Sequence, residues 1–233
     1  MKRIFVPTRN GSDWQRLLAK PKLHWKQGAS AMTAAASWEG AAGELPREIS
    51  KLLTSSNEAS LANLSLLAAL PEWQVALKGG ETTSNTDVLA LCRNEAGLCV
   101  VAVEAKVLED FGPLLREKRA SPSEGQKARL QSLHEILHVE EFDDSIRYQL
   151  LHRTASAILT ATAFHAASAV MLVHAFGTPQ ERQSDFMAFC AAMGATEVAP
   201  GVYKVSTFGS PHLYLAWCNG NEEYRRVLLE SAT

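Results

Sequence analysis

Leu98-Cys99-Val100-Val101-Ala102-Val103-Glu104-Ala105-Lys106-Val107 is the stretch on which the fold turns. Side chains alternate between the two faces of a strand, so Val100, Ala102, Glu104 and Lys106 share one face and Val101, Val103, Ala105 and Val107 the other. A strand apolar on both faces belongs inside a sheet that is covered on each side. Glu104 and Lys106 project side by side from it. Charges in such a place need partners, because an unpaired buried charge is costly or shifts its pKa until it is neutral. Just upstream, Asn94 to Gly97 reads as a hairpin turn and 87–93 as the preceding strand, which Asp87 opens 17 residues before Glu104.

Further upstream, 73–77 reads as a short strand and Gly79-Gly80 as a turn, which makes a three-strand meander. Before Pro71 the chain is rich in Ala, Leu and Ser, and predicts helices over 12–20, 30–40, 46–55 and 58–70. Trp14, Trp25, Trp38 and Trp73 are spaced like anchors in the core. Downstream, Ser123 with Gln126 predicts a capping box for a helix over 125–139. The longest predicted helix, 145–164, carries small residues at Ala155, Ser156 and Ala157 that let it lie close on a sheet. The run Val170-Met171-Leu172-Val173 predicts a buried strand ending near Gly177. Thr178 and Glu181 suggest a second capping box and a helix to about Met193, followed by strands at 203–207 and 213–218 and a last helix from Glu222. This order gives an α/β fold, a central mixed β-sheet flanked by helices. The expected organisation is a single domain over 1–233, with a helical N-terminal layer (1–58), a core (60–176) and a C-terminal extension (178–233).

The 233 residues are 46% hydrophobic and 21% charged, which excludes disordered and fibrous classes. Polar residues Gln149, His152, Arg153 and Ser156 interrupt the longest helix, so no membrane span is expected. Met1 to Pro7 lacks the apolar run of a signal peptide. Cys92, Cys99, Cys190 and Cys218 have no CxxC spacing and read as reduced thiols of a cytoplasmic protein. The net charge of −2 gives no general sign of a nucleic-acid partner.

An acid and a Glu-x-Lys pair on neighbouring strands are what phosphodiester hydrolysis requires. Carboxylates hold Mg²⁺, the carbonyl of Ala105 adds a ligand, and the lysine orients water and offsets developing charge. Thr86-Asp87 and Glu104-Ala105-Lys106, followed by a helix and a further strand, resemble the PD-(D/E)XK or restriction-endonuclease-like superfamily. Most of residues 14–180 is similar to an uncharacterised bacterial branch of it, through His24-Trp25-Lys26, Ser37-Trp38-Glu39, Phe111-Gly112-Pro113, the helix segment Arg147 to Ser156 and Val173-His174-Ala175-Phe176. The resemblance implies a Mg²⁺- or Mn²⁺-dependent nuclease acting on nucleic acid, DNA in the first place, with a restriction-endonuclease-like core over 60–176. It assigns Asp87 and Glu104 to the metal, Lys106 to catalysis and Gln149 to support of the site. It adds a metal-binding acid on the first helix, Glu39 in preference to Glu48.

Two other classes stay open. A non-catalytic interaction module on the same fold fits the acidic balance and the lack of a basic cluster near the site. A zinc hydrolase would use His134-Glu135-Ile136-Leu137-His138, an HExxH pattern. Glu140 and the predicted end of the helix close to His138 weigh against it. Gly79-Gly80 with Thr82, Thr83 and Ser84 has phosphate-loop composition without the P-loop lysine, and reads as a turn.

Overall fold

The computed structural model describes residues 10–80 and 82–231, so the Met1 to Pro7 reading lies outside the described residues. Strands β1 (Ser65–Val75), β2 (Ser84–Asn94) and β3 (Gly97–Lys106) form the expected antiparallel meander, with Asn94 opposite Gly97 at the tight turn. Asn94 stabilises that turn by accepting from the Ala96 N–H, at 2.9 Å. β4 (Ser168–Ala175) adds parallel to β3. β5 (Ala195–Ala199), β6 (Val202–Val205) and β7 (His212–Asn219) complete one seven-stranded sheet in the order β1-β2-β3-β4-β7-β6-β5, with β7 parallel to β4. The fold is therefore an α/β mixed sheet.

Helices cover both faces. One face receives α1 (Pro21–His24), α2 (Ser30–Gly40) and α3 (Arg47–Ser55). There Trp14, Trp25, Met32, Trp38, Ile49 and Leu53 pack on Val88, Val101, Val103, Val170 and Leu172. The other face receives the crossover between β3 and β4, made of α4 (Leu115–Arg119), α5 (Glu124–Leu137) and α6 (Tyr148–Ala163), and then α7 (Gln180–Ala192). Ala155, Ala157 and Ala161 of α6 are fully buried and allow the close approach. Its buried hydroxyls are satisfied within the helix, Thr154 donating to the Leu150 carbonyl (2.8 Å) and Ser156 to that of His152 (2.7 Å). The predicted box at Ser123 and Gln126 caps α5.

Three expectations need correction. The predicted helix over 58–70 gives way to β1: Leu-Leu-Ala-Ala favours helix locally, but pairing with β2 from Ser65↔Arg93 to Val75↔Ser84 prevails. Pro71 is tolerated because β1 is an edge strand. Thr178 does not cap α7 but donates to the Lys106 carbonyl (2.9 Å), and Pro179 takes the cap position. The predicted helices at 12–20 and from Glu222 are short 3-10 turns, Gly11–Leu17 and Glu222–Arg226.

Candidate active site

Glu104 and Lys106 lie at the carboxyl end of β3, where parallel strands of open sheets present ligands. Both are 3% exposed, so their partners decide whether they can remain charged. Lys106 Nζ donates to Glu104 Oε1 at 2.7 Å and to Gln149 Oε1 at 3.0 Å. Gln149 Nε2 donates back to Glu104 Oε1 at 2.7 Å. Arg153 Nε donates to Glu104 Oε2. Gln149 and Arg153 stand one turn apart on α6, so a single helix edge clamps the carboxylate. Burial alone would raise the pKa of Glu104, but Arg153 and Lys106 outweigh it and hold the group down at about 2.

Asp87 lies just beyond the last paired residues of the hairpin, Val88↔Val103. Its Oδ2 accepts from the Ala105 N–H at 2.7 Å, which fixes it beside the Glu-x-Lys segment. Glu72 occupies the neighbouring place on β1, between the pairs Pro71↔Val88 and Trp73↔Thr86, with a left-handed φ of 52°. Glu72, Asp87, Glu104, Lys106, Gln149 and Arg153 line one cavity of about 290 Å³. Burial and the charge of Glu104 push Asp87 up to about 7, while burial and Asp87 push Glu72 up to about 8. Glu109 also lines this cavity, so four carboxyl groups meet two fixed cations, Lys106 and Arg153.

The structure thus brings together Asp87, Glu104, Lys106 and Gln149. Glu39 does not join them: it accepts from Trp14 Nε1 at 2.9 Å and is not a lining residue of the cavity. Its alternative, Glu48, accepts from His174 Nε2 at 3.1 Å on another part of the sheet end. The third acid at the site is Glu72, which falls between the predicted helix over 58–70 and the predicted strand at 73–77 and is placed only by the longer β1 (Ser65–Val75). Its trace in the sequence was an acid directly after Pro71, where the texture changes. Among the described residues, no three His, Cys, Asp or Glu side chains converge as a complete ligand set for a metal ion.

Leu18, Ala19 and His24 form a wall of the cavity, so the segment between Arg16 and Lys26 lies along its rim. Lys20, Lys22 and Lys26 are exposed and form no ion pair with the described residues. Lys20 and Lys22 line a separate pocket with Gln15, Arg16, Pro21 and Leu23.

The HExxH residues take other roles. His138 lies past the end of α5 with a φ of 54° and stacks on Phe208, while His134 packs against Phe142 and pairs with the Val139 carbonyl. The two rings are therefore not presented from one regular helical turn. All four cysteines are free and buried. No helix among the described residues is long and apolar enough to cross a membrane.

Fold and site together define an α/β protein with a buried carboxylate–lysine cluster at the end of its central strands. The chain belongs to the family described as Domain of unknown function (DUF6946), whose model matches residues 7–222. No curated protein and no solved structure matches it.

Proposed function

We propose that this protein is a metal-dependent nuclease of PD-(D/E)XK type, hydrolysing phosphodiester bonds of nucleic acid, DNA in the first place. The observation that carries the reading is the convergence of Glu72, Asp87, Glu104 and Lys106 on one cavity at the ends of paired strands. The element order from β1 to β4, a meander followed by helices and a parallel strand, is similar to the restriction-endonuclease-like core.

In donor chemistry, though not as a complete ligand set, the residues suit a Mg²⁺ or Mn²⁺ ion. Their donors are hard carboxylate oxygens, and the raised pKa values of Glu72 and Asp87 mark an excess of carboxylates that a divalent cation relieves. Asp87 and Glu104 would hold it, with Glu72 beside them. When bound, it supplies Lewis-acid stabilisation of the phosphoryl oxygens. Lys106 offsets the negative charge that develops on the phosphorane and orients the attacking water. Gln149 keeps Lys106 and Glu104 in register through its two hydrogen bonds, and Arg153 prevents Glu104 from rotating away.

One observation favours a second reading, a non-catalytic interaction module. Both Glu104 oxygens already accept from Lys106, Gln149 and Arg153, a cluster that satisfies itself without a cation. Assays on single- and double-stranded DNA and RNA with Mg²⁺ or Mn²⁺ separate the two. The nuclease reading expects cleavage that EDTA abolishes, and a loss of about 10²-fold or more in folded Lys106→Ala. Equal inactivity of wild type and Lys106→Ala across all substrates and both metals supports the module.

A further inference from the structure

The turn at Gly79-Gly80 walls a second cavity of about 260 Å³, also lined by Ser84, Lys118, Arg129, Tyr148 and His152. Among the described residues, no acidic side chain lines it. Among the described residues, Arg129 is held by neutral acceptors: the carbonyls of Leu77, Lys78, Gly80 and Thr82, and the Thr82 hydroxyl. Its charge is fixed in place, and no described residue forms an ion pair with it. Gly79 makes this possible, since at its φ of +90° an added Cβ would lie 2.2 Å from the Gly125 carbonyl on α5. Lys118 has no ion-pair partner among the described residues, and its Nζ lies 5.2 Å from the centre of the Tyr148 ring.

Helix α6 separates this cavity from the carboxylate site. Gln149 and Arg153 face the carboxylates, while Tyr148 and His152, the adjacent stripe, face the second cavity. Ser84 joins the two: its Oγ accepts from Arg153 NH1 at 3.0 Å and shares a hydrogen bond of 2.9 Å with His152 Nδ1. One fixed cation, Arg129, with a second, Lys118, over an aromatic ring and a hydroxyl in the same pocket form a receptor for a phosphate group.

We propose that this cavity is a phosphate subsite, which takes a phosphate of the nucleic-acid strand next to the one at the carboxylate site, with Lys118 and Arg129 supplying charge and Tyr148 a stacking face. The strand rests on the nuclease reading, whereas recognition of phosphate does not. Binding is measured in EDTA on the full chain, with a short fluorescent oligodeoxynucleotide and with inorganic phosphate as competitor. Lys118→Gln is expected to weaken oligonucleotide binding about tenfold, Lys118→Glu more, and Lys118→Arg little, each variant being checked for folding by circular dichroism. Wild-type affinity in both Lys118→Gln and Lys118→Glu overturns the subsite. Loss of inorganic phosphate binding alone in these variants keeps the phosphate site and overturns the strand as its ligand, making free phosphate the ligand. Lys118-dependent binding in a protein inactive with every metal keeps the subsite and removes the nuclease. An active nuclease whose KM is unchanged in Lys118→Gln does the reverse.

Discussion

Glu72 and Asp87 are the residues at which folding works against ionisation. Both carboxyls have folded pKa values above their ordinary range, about 8 and about 7, through burial first and then through repulsion, of Glu72 by Asp87 and of Asp87 by Glu104. Between about pH 4 and pH 8 the folded protein therefore holds protons that the unfolded chain has released, so stability falls as pH rises through that window. Glu104 acts in the opposite sense: held at about 2, it contributes stability above its ordinary pKa that is lost as pH falls through about 2. Metal-free protein should accordingly melt at a lower temperature at pH 8 than at pH 5.5. Glu72→Gln should raise the melting temperature at pH 8 by about 2–4 °C per kcal/mol of relieved repulsion, and leave pH 5.5 little changed. Millimolar Mg²⁺ should stabilise wild type more at pH 8 than at pH 5.5, and Asp87→Asn hardly at all. Thermal unfolding in EDTA and in Mg²⁺ measures each of these, and a flat pH profile in both would contradict the carboxylate excess.

Helix α6 carries the elements of the site that were readable in advance, and β1 those that were not. The small residues Ala155, Ser156 and Ala157 predict the close contact of α6 with the sheet, and Gln149, Arg153 and Ser156 are among the polar residues that interrupt the helix. In the structure each has a partner: Gln149 and Arg153 bind Glu104, Ser156 binds the His152 carbonyl, and Thr160 accepts from Trp73 Nε1 at 3.3 Å. Alternation likewise assigned Glu104 and Lys106 to one face of β3. Glu72 was hidden because Ser65–Val75 has helix-favouring residues in its first half, and only pairing with β2 makes it a strand. Glu39 was misassigned for a related reason: neither periodicity nor motif shows which of several helix acids reaches a site that tertiary packing assembles. The two clamp residues should separate cleanly on mutation. Arg153→Ala leaves Glu104 buried with one cation fewer and should cost about 3 kcal/mol in urea unfolding. Gln149→Ala removes one hydrogen bond from the Lys106 ammonium and one to the Glu104 carboxylate and should cost about 2 kcal/mol, while lowering any cleavage rate by a larger factor. Equal effects of Gln149→Ala on stability and rate would make it a structural residue only.

At the scale of the whole molecule, the segment after residue 178 proves to be part of the central sheet. β7 lies parallel against β4, and β6 and β5 continue outward from it, so three of the seven strands come from the segment first read as an extension. The reason is visible in β4, all eight of whose residues are buried. A strand apolar on both faces and flanked only by β3 would leave an open hydrophobic edge, the kind that recruits other chains. β7 covers that edge along the full register from Ser168↔His212 to Ala175↔Asn219, and brings Tyr214 and Ala216 to one core and Leu213, Leu215 and Trp217 to the other. Short β5 was beyond reach of pattern reading, because Ala195-Thr196-Glu197-Val198-Ala199 has little apolar alternation and is set by its pairing with β6. Although residues 10–177 contain every group of the carboxylate site, a chain ending at Gly177 should not fold on its own. Each large apolar side chain lost from the β7 region forfeits about 1.5–3 kcal/mol, and the exposed β4 edge adds a route to association. Size-exclusion chromatography and circular dichroism of this fragment should reveal aggregated or unfolded chain without cooperative melting. Co-expression with residues 178–233 as a separate piece should recover soluble complex. A monomeric fragment with a sharp thermal transition would instead identify residues 10–177 as a self-sufficient core.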